Sequence, residues 1–155
     1  MTKDYKILAK NKKALSNYEL IETFEAGIKL TGPEVKSVKL GHVKLDGAWA
    51  SLDFSESGAK LNNAHISSYK PSSGNRQASY DPIRPRILLF TKKELSYFFG
   101  KIKEKKLTMI PISVYNKSGI IKVEIALARG KKKYQKRESI KKRDIEREIG
   151  RRLKS

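Results

Sequence analysis

Apolar and polar residues alternate through "NYELIETFEAGIKL", with Tyr18, Leu20 and Phe24 followed, beyond Gly27, by Ile28 and Leu30. A period of two turns one side of the segment inward, so a strand is predicted, with Gly27 allowing a bend or bulge. The rhythm changes at "TGPEVKSVKLG". Thr31 and Glu34 have the spacing of a capping box, Pro33 suits a first turn and Gly41 supplies a stop, which predicts a short helix with Val35 and Val38 facing inward.

Residues 43–66 read as a hairpin, with a strand through "AWASLDF", a turn at "SESG" and a return through "AKLNNAHI". Residues 67–86 combine Ser, Pro, Gly and Asn with three Arg and two Tyr, and no core element fits them, so they are predicted to form a long exposed loop. After the apolar run Ile87 to Phe90, Thr91 and Glu94 form a second capping box. The helix they open carries Leu95, Phe98 and Ile102 on one face, with Phe99 at the margin of that stripe. The clearest hairpin follows, from "LTMIPISVY" through the turn "NKSG" into "IIKVEIALA". There Ile121, Val123, Ile125 and Leu127 alternate with Lys122, Glu124, Ala126 and Ala128. Strands with short helices and glycine-marked bends predict a mainly β fold, an antiparallel barrel of the oligonucleotide-binding class.

Charge divides the 155 residues in two. The chain carries 35 Lys and Arg against 16 Asp and Glu, a formal charge of +19, which points to a polyanionic partner. Between Arg129 and Ser155 stand thirteen basic residues and four acids, so a short tail holds a surplus of nine. The expected organisation is a barrel over residues 1–128 and a basic tail over 129–155. In the tail, pairs such as Glu138 with Lys142 and Glu148 with Arg152 contribute only about 0.2–0.5 kcal/mol each to an isolated helix. Gly150 and the nucleation penalty offset that gain, so the tail is predicted to be disordered when free. Ile145, Ile149 and Leu153 nevertheless fall at steps of four, a pattern for a helix that forms against an anionic surface with apolar or stacking character.

The sequence has no cysteine, and its two histidines, His42 and His65, lie in separate elements without metal-ligand spacing. No nucleophile elbow, phosphate loop or paired-carboxylate signature occurs, so neither an enzyme nor a cofactor is expected. The N-terminal stretch has charges but no continuous apolar region, and the uncharged run from Leu107 to Asn116 is too short for a bilayer span. A cytoplasmic protein without membrane contact, monomeric when free, is the expectation.

Three stretches, "FEAGIKLTGPEVKSVKLG", "DPIRPRILLFTKKEL" and "IALARGKKKYQKRE", together resemble the small protein B family, whose members partner transfer-messenger RNA in bacterial ribosome rescue. The resemblance implies a barrel that grips the transfer-RNA-like part of that RNA. It also implies a tail that becomes helical in the decoding site and empty message channel of a stalled ribosome, against ribosomal RNA. Residue by residue, it implies RNA contact by Asn11, Lys13, Glu25, Leu89 and Thr91. Arg84 and Arg86 join these from the basic loop, where Tyr69 and Tyr80 either stack on bases or lie on the barrel. Ribosome contact falls to Lys131, Lys132, Lys133, Tyr134, Lys136, Arg137, Ile145 and Ile149. The sequence departs from the family pattern at Pro33, Trp49, Thr91 and Gln135. An alternative reading, a ribosomal protein or general single-strand binder, would give similar affinity for many RNAs instead of a preference for one fold.

Overall fold

A computed structural model describes residues 5–53, 58–69, 80–131 and 133–154, with side chains at all of these except 133–136, 138–140 and 152–154. In chain order the elements are β1 (Tyr5–Lys10), α1 (Lys12–Asn17), β2 (Tyr18–Ile28), α2 (Gly32–Lys39), β3 (Val43–Lys44), β4 (Trp49–Asp53), β5 (Gly58–Asn62) and β6 (His65–Ile66). There follow β7 (Arg86–Leu89), α3 (Lys92–Lys105), β8 (Thr108–Lys117), β9 (Ile120–Gly130) and α4 (Lys133–Lys154).

Strands β8, β4, β5, β7, β2 and β9 pair in that order, all antiparallel, and the pairing of β9 back onto β8 closes the barrel. Strand β1 adds to the C-terminal half of β8, from Tyr5 opposite Lys117 to Lys10 opposite Ser113. The fold is thus the predicted mainly β barrel with short helices. Inside it Leu61, Leu88, Met109, Val123, Ile125 and Leu127 are buried together with Phe98 of α3. Phe98 meets Phe24 and Phe90 edge to face at centroid distances of 4.6 and 4.8 Å, which fixes α3 against the barrel.

Both predicted capping boxes are present. The Thr31 hydroxyl accepts from the Glu34 amide at 3.3 Å and the Glu34 carboxylate returns the bond at 3.0 Å, while Thr91 and Glu94 do the same at 3.1 and 2.9 Å. The β8–β9 hairpin also forms as predicted. Its turn places Ser118 and Gly119 at φ of 52° and 87°, the two left-handed residues that a tight primed turn requires.

Within the barrel the structure departs from the sequence reading in four places. Ala126 and Ala128 point out of the barrel as the alternation requires, yet both are fully buried, because Ala14 of α1 packs over them together with Ile110 and Ile112 of β8. That helix and β1 before it are short and were not predicted. The bulge in β2 falls between Leu20 and Glu22 rather than at Gly27. Gly27 instead permits a close approach, since a Cβ there would stand 3.2 Å from Leu89 Cδ1. Finally, the return strand after β4 breaks at Asn63, whose φ of 63° diverts His65 and Ile66 into a separate pairing with β3. The predicted turn "SESG" lies mostly outside the described residues, at 55–57.

The tail, for which the sequence predicts disorder in the free chain, is here one helix outside the barrel, α4, over 22 residues, with Ile145 and Ile149 at 49% and 53% exposure. Its entry is fixed to α1 by the Lys131 amide, which donates to the Asn17 carbonyl at 2.9 Å.

Candidate nucleic-acid interface

The two loop arginines singled out for RNA contact are committed within the protein. Arg86 is fully buried. Its Nε and Nη2 donate to Glu34 Oε2 at 3.0 and 2.6 Å, and its Nη1 donates to the Ala64 carbonyl at 2.6 Å. Arg84 closes the same carboxylate from the solvent side, with Nε 3.0 Å from Oε2 and Nη2 on Oε1. The Tyr80 hydroxyl, 2.9 Å from the Ile66 carbonyl and 3.1 Å from Glu34 Oε2, accepts from Arg86 Nη2 at 3.0 Å. Burial alone would push the Glu34 carboxyl up. Hydrogen bonds from Arg84, the Thr31 amide and Arg86 outweigh it and hold the group down to about 2. A carboxylate in a capping box at the start of α2 thus neutralises two cations, ties the end of the 67–86 loop to the barrel and removes Arg86 from any surface. Tyr80 belongs to this network and not to a stacking platform, and Tyr69 lies beneath the Lys36 ammonium, 5.4 Å from its ring centroid. Lys70 and Arg76 of the same loop lie outside the described residues.

Glu25 and Leu89 come together on one open face. Gly27 pairs with Leu89 across β2 and β7, and Glu25, two residues before Gly27, shares its outward side. Leu89 is 49% exposed and lies across Gly27. Glu25 accepts from the Tyr115 hydroxyl and, at 3.3 Å, from Lys117 Nζ. These bonds, the Tyr115 bond foremost, hold its carboxyl below the usual range. Thr91 is exposed immediately beyond β7, but its hydroxyl is engaged as the cap of α3.

Asn11 is not available for direct contact. It is 2% exposed, its Nδ2 donates to the Pro111 carbonyl at 2.9 Å, and its Oδ1 caps α1 by accepting from the Ala14 amide at 3.1 Å. Its place is to anchor α1, which presents Lys13 to solvent. Lys13, Asn17, Tyr18 and the exposed Trp49 line a cleft of about 430 Å³ between α1 and the start of β4. Lys131 emerges beside it, with Nζ 3.4 Å from the Leu15 carbonyl. In the tail, Arg137 is exposed and Lys132 lies outside the described residues. The backbones of Lys133, Tyr134 and Lys136 are helical, while their side chains lie outside the described part of the molecule.

Sequence reasoning missed Tyr115 and Lys117 as partners of Glu25. Tyr115 closes an almost wholly apolar run and Lys117 falls in the predicted turn "NKSG", and their pairing with a strand 90 residues away had no local signal. Among the described residues no cluster of three or more His, Cys, Asp or Glu could hold a metal, and no helix is long and apolar enough to cross a membrane.

Known proteins share this sequence and architecture. The family model for SmpB protein matches residues 8–155. The SsrA-binding protein of Persephonella marina is 48% identical over 149 residues, covering 96% of this chain and 95% of the relative. The SsrA-binding protein of Carboxydothermus hydrogenoformans is 46% identical over 150 residues, covering 97% of each. A solved structure from "tmRNA-SmpB: a journey to the center of the bacterial ribosome" superposes with a TM-score of 0.63 at 39% identity, covering 84% of this chain and 92% of the other.

Proposed function

This chain belongs to the SmpB family, and on that premise we propose that it binds transfer-messenger RNA and brings it to stalled ribosomes for trans-translation. The barrel, residues 1–128, binds the transfer-RNA-like domain through the open face around Glu25 and Leu89, with Thr91 at its edge. The tail, residues 129–155, enters the decoding site and the empty message channel, with the cations at 131–133, 136 and 137 and the ring of Tyr134 at its entry. Arg86 and Asn11 support these surfaces from inside, and Lys13 adds a phosphate contact from α1.

The observation that carries this division is the uncovered apolar stripe of α4. A helix with Ile145 and Ile149 about half exposed, surrounded by Lys and Arg, offers an apolar stripe to a partner, and α1 is an element it contacts. RNA supplies phosphates for the cations and base faces for the apolar side. Because α4 begins after β9 has ended at Gly130, the chain can be cut there without removing a core residue among the described ones.

Truncation after Gly130 tests the proposal. The shortened protein is expected to unfold cooperatively like the full chain and to retain transfer-messenger RNA in a pull-down followed by sequencing, while tagging of stalled peptides disappears. A folded truncation that failed to retain the RNA as well would overturn the division of labour.

A further inference from the structure

Resting on the reading of the Glu25 face as an RNA surface, we propose that Tyr115 is the positioning residue of that face. It fixes the Glu25 carboxylate so that a single oxygen, Oε1, is presented to one uncharged N–H or O–H donor of the RNA.

The Tyr115 ring is 4% exposed and packs under Tyr5 with centroids 4.7 Å apart, so its hydroxyl has little freedom of direction. That hydroxyl and Lys117 Nζ both donate to Glu25 Oε2. A carboxylate has acceptor sites on both oxygens, and here one oxygen takes two protein donors while the other takes none among the described residues. The side chain is therefore held in one rotamer, with its remaining acceptor turned toward solvent. An exposed Glu on a strand would otherwise sample several rotamers and lose that entropy on binding.

Charge around the pair selects the kind of donor. Glu124 stands directly opposite Glu25 across β2 and β9, an acid against an acid, with Lys122 opposite Gly27 and Lys117 at the edge of β8. In a chain of net charge +19, the two carboxylates balance Lys117 and Lys122 and leave a local spot with no surplus of positive charge to hold a phosphate. Such a spot within a basic body suits a base-edge amine or a 2′-hydroxyl better than the RNA backbone. Burial and the Glu25 carboxylate push the Tyr115 hydroxyl well up, so it remains a donor throughout the working pH range. The groups facing Glu25 are thus Tyr115, Lys117, Lys122 and Glu124, with Tyr5 behind Tyr115.

Tyr115→Phe keeps the ring beneath Tyr5 and removes only the donor, so the fold is expected to hold its Tm. In the full chain it should weaken transfer-messenger RNA binding about three- to tenfold, the cost of immobilising one rotamer-rich side chain on binding. In a Glu25→Ala background the same substitution should change nothing further. NMR titration of the free protein supplies a readout independent of RNA: the Glu25 carboxyl should titrate at higher pH in Tyr115→Phe. If Glu25→Ala leaves affinity unchanged, the reading of this face fails and the proposal with it. If Glu25→Ala weakens binding and Tyr115→Phe does not, only the positioning role is overturned. Equal weakening in both backgrounds, or an unmoved Glu25 titration, would likewise refute positioning.

Discussion

Arg86 and Arg137 are both offered to RNA by the sequence, and the structure gives them opposite environments. Arg86 is fully buried against Glu34, whereas Arg137 stands in solvent on α4. Positive charge counted along a chain is therefore not the charge offered to a partner. In the barrel, cations near an acid that caps a helix become part of the architecture; in the tail, an exposed cation such as Arg137 remains available.

The largest expected effect tests the barrel side of this contrast. Glu34→Ala leaves the Arg86 guanidinium buried without a counter-charge, which should cost about 3–5 kcal/mol of stability in urea denaturation. Acid should reproduce part of that destabilisation in the unmutated protein. The Glu34 carboxyl titrates near 2 when folded and near its ordinary value of 4.5 when unfolded. Its contribution is therefore complete above pH 4.5 and disappears as pH falls toward 2, on the order of 3 kcal/mol. Stability that stayed flat across that window would show that the buried pair is not what holds the loop.

The tail should respond in the opposite way. Ile145→Asp with Ile149→Asp replaces two half-exposed side chains, so stability should move by no more than about 0.5 kcal/mol. Peptide tagging should nevertheless fall at least about tenfold, because the apolar side of α4 can no longer meet stacked bases. A reconstituted tagging assay beside a thermal melt separates the two quantities. Tagging at the unmutated rate would reduce the tail to a reservoir of charge.

How far each region is legible in the sequence follows from the range of its interactions. The capping boxes at Thr31 and Thr91 depend on residues three positions apart and the β8–β9 hairpin on pairs 3 to 20 apart across one tight turn, so spacing alone reveals them. The second task of Glu34, to pair with Arg84 and Arg86, spans 50 and 52 residues and leaves no local mark. Asn11 shows the same limit. The family resemblance implies RNA contact there, yet its side chain reaches Pro111, 100 residues on. Asn11→Ala should cost about 2 kcal/mol by removing the cap of α1 and leaving a buried carbonyl unpaired. RNA affinity should fall only as far as α1 loosens, so a stabilising substitution elsewhere that restores the fold should restore binding. Affinity that stayed low in the restabilised protein would return Asn11 to the contact surface.

The smallest effect discriminates most finely between committed and available charge. Removing one cation that pairs with a phosphate should lower the slope of log affinity against log salt by about 0.7 to 0.9, since a bound cation releases counterions from the RNA. Lys13 is exposed on α1 beside the tail root, so Lys13→Ala should lower the slope by about that amount. Arg84 is about a third exposed but already neutralised by Glu34, so Arg84→Gln should leave the slope nearly unchanged while costing some stability. Affinity measured across a series of salt concentrations for the two variants gives the comparison directly, because each variant removes one positive charge from the same protein. Equal decreases would mean that Arg84 leaves Glu34 to bind phosphate, and the boundary between structural and available cations would then enclose Arg86 alone.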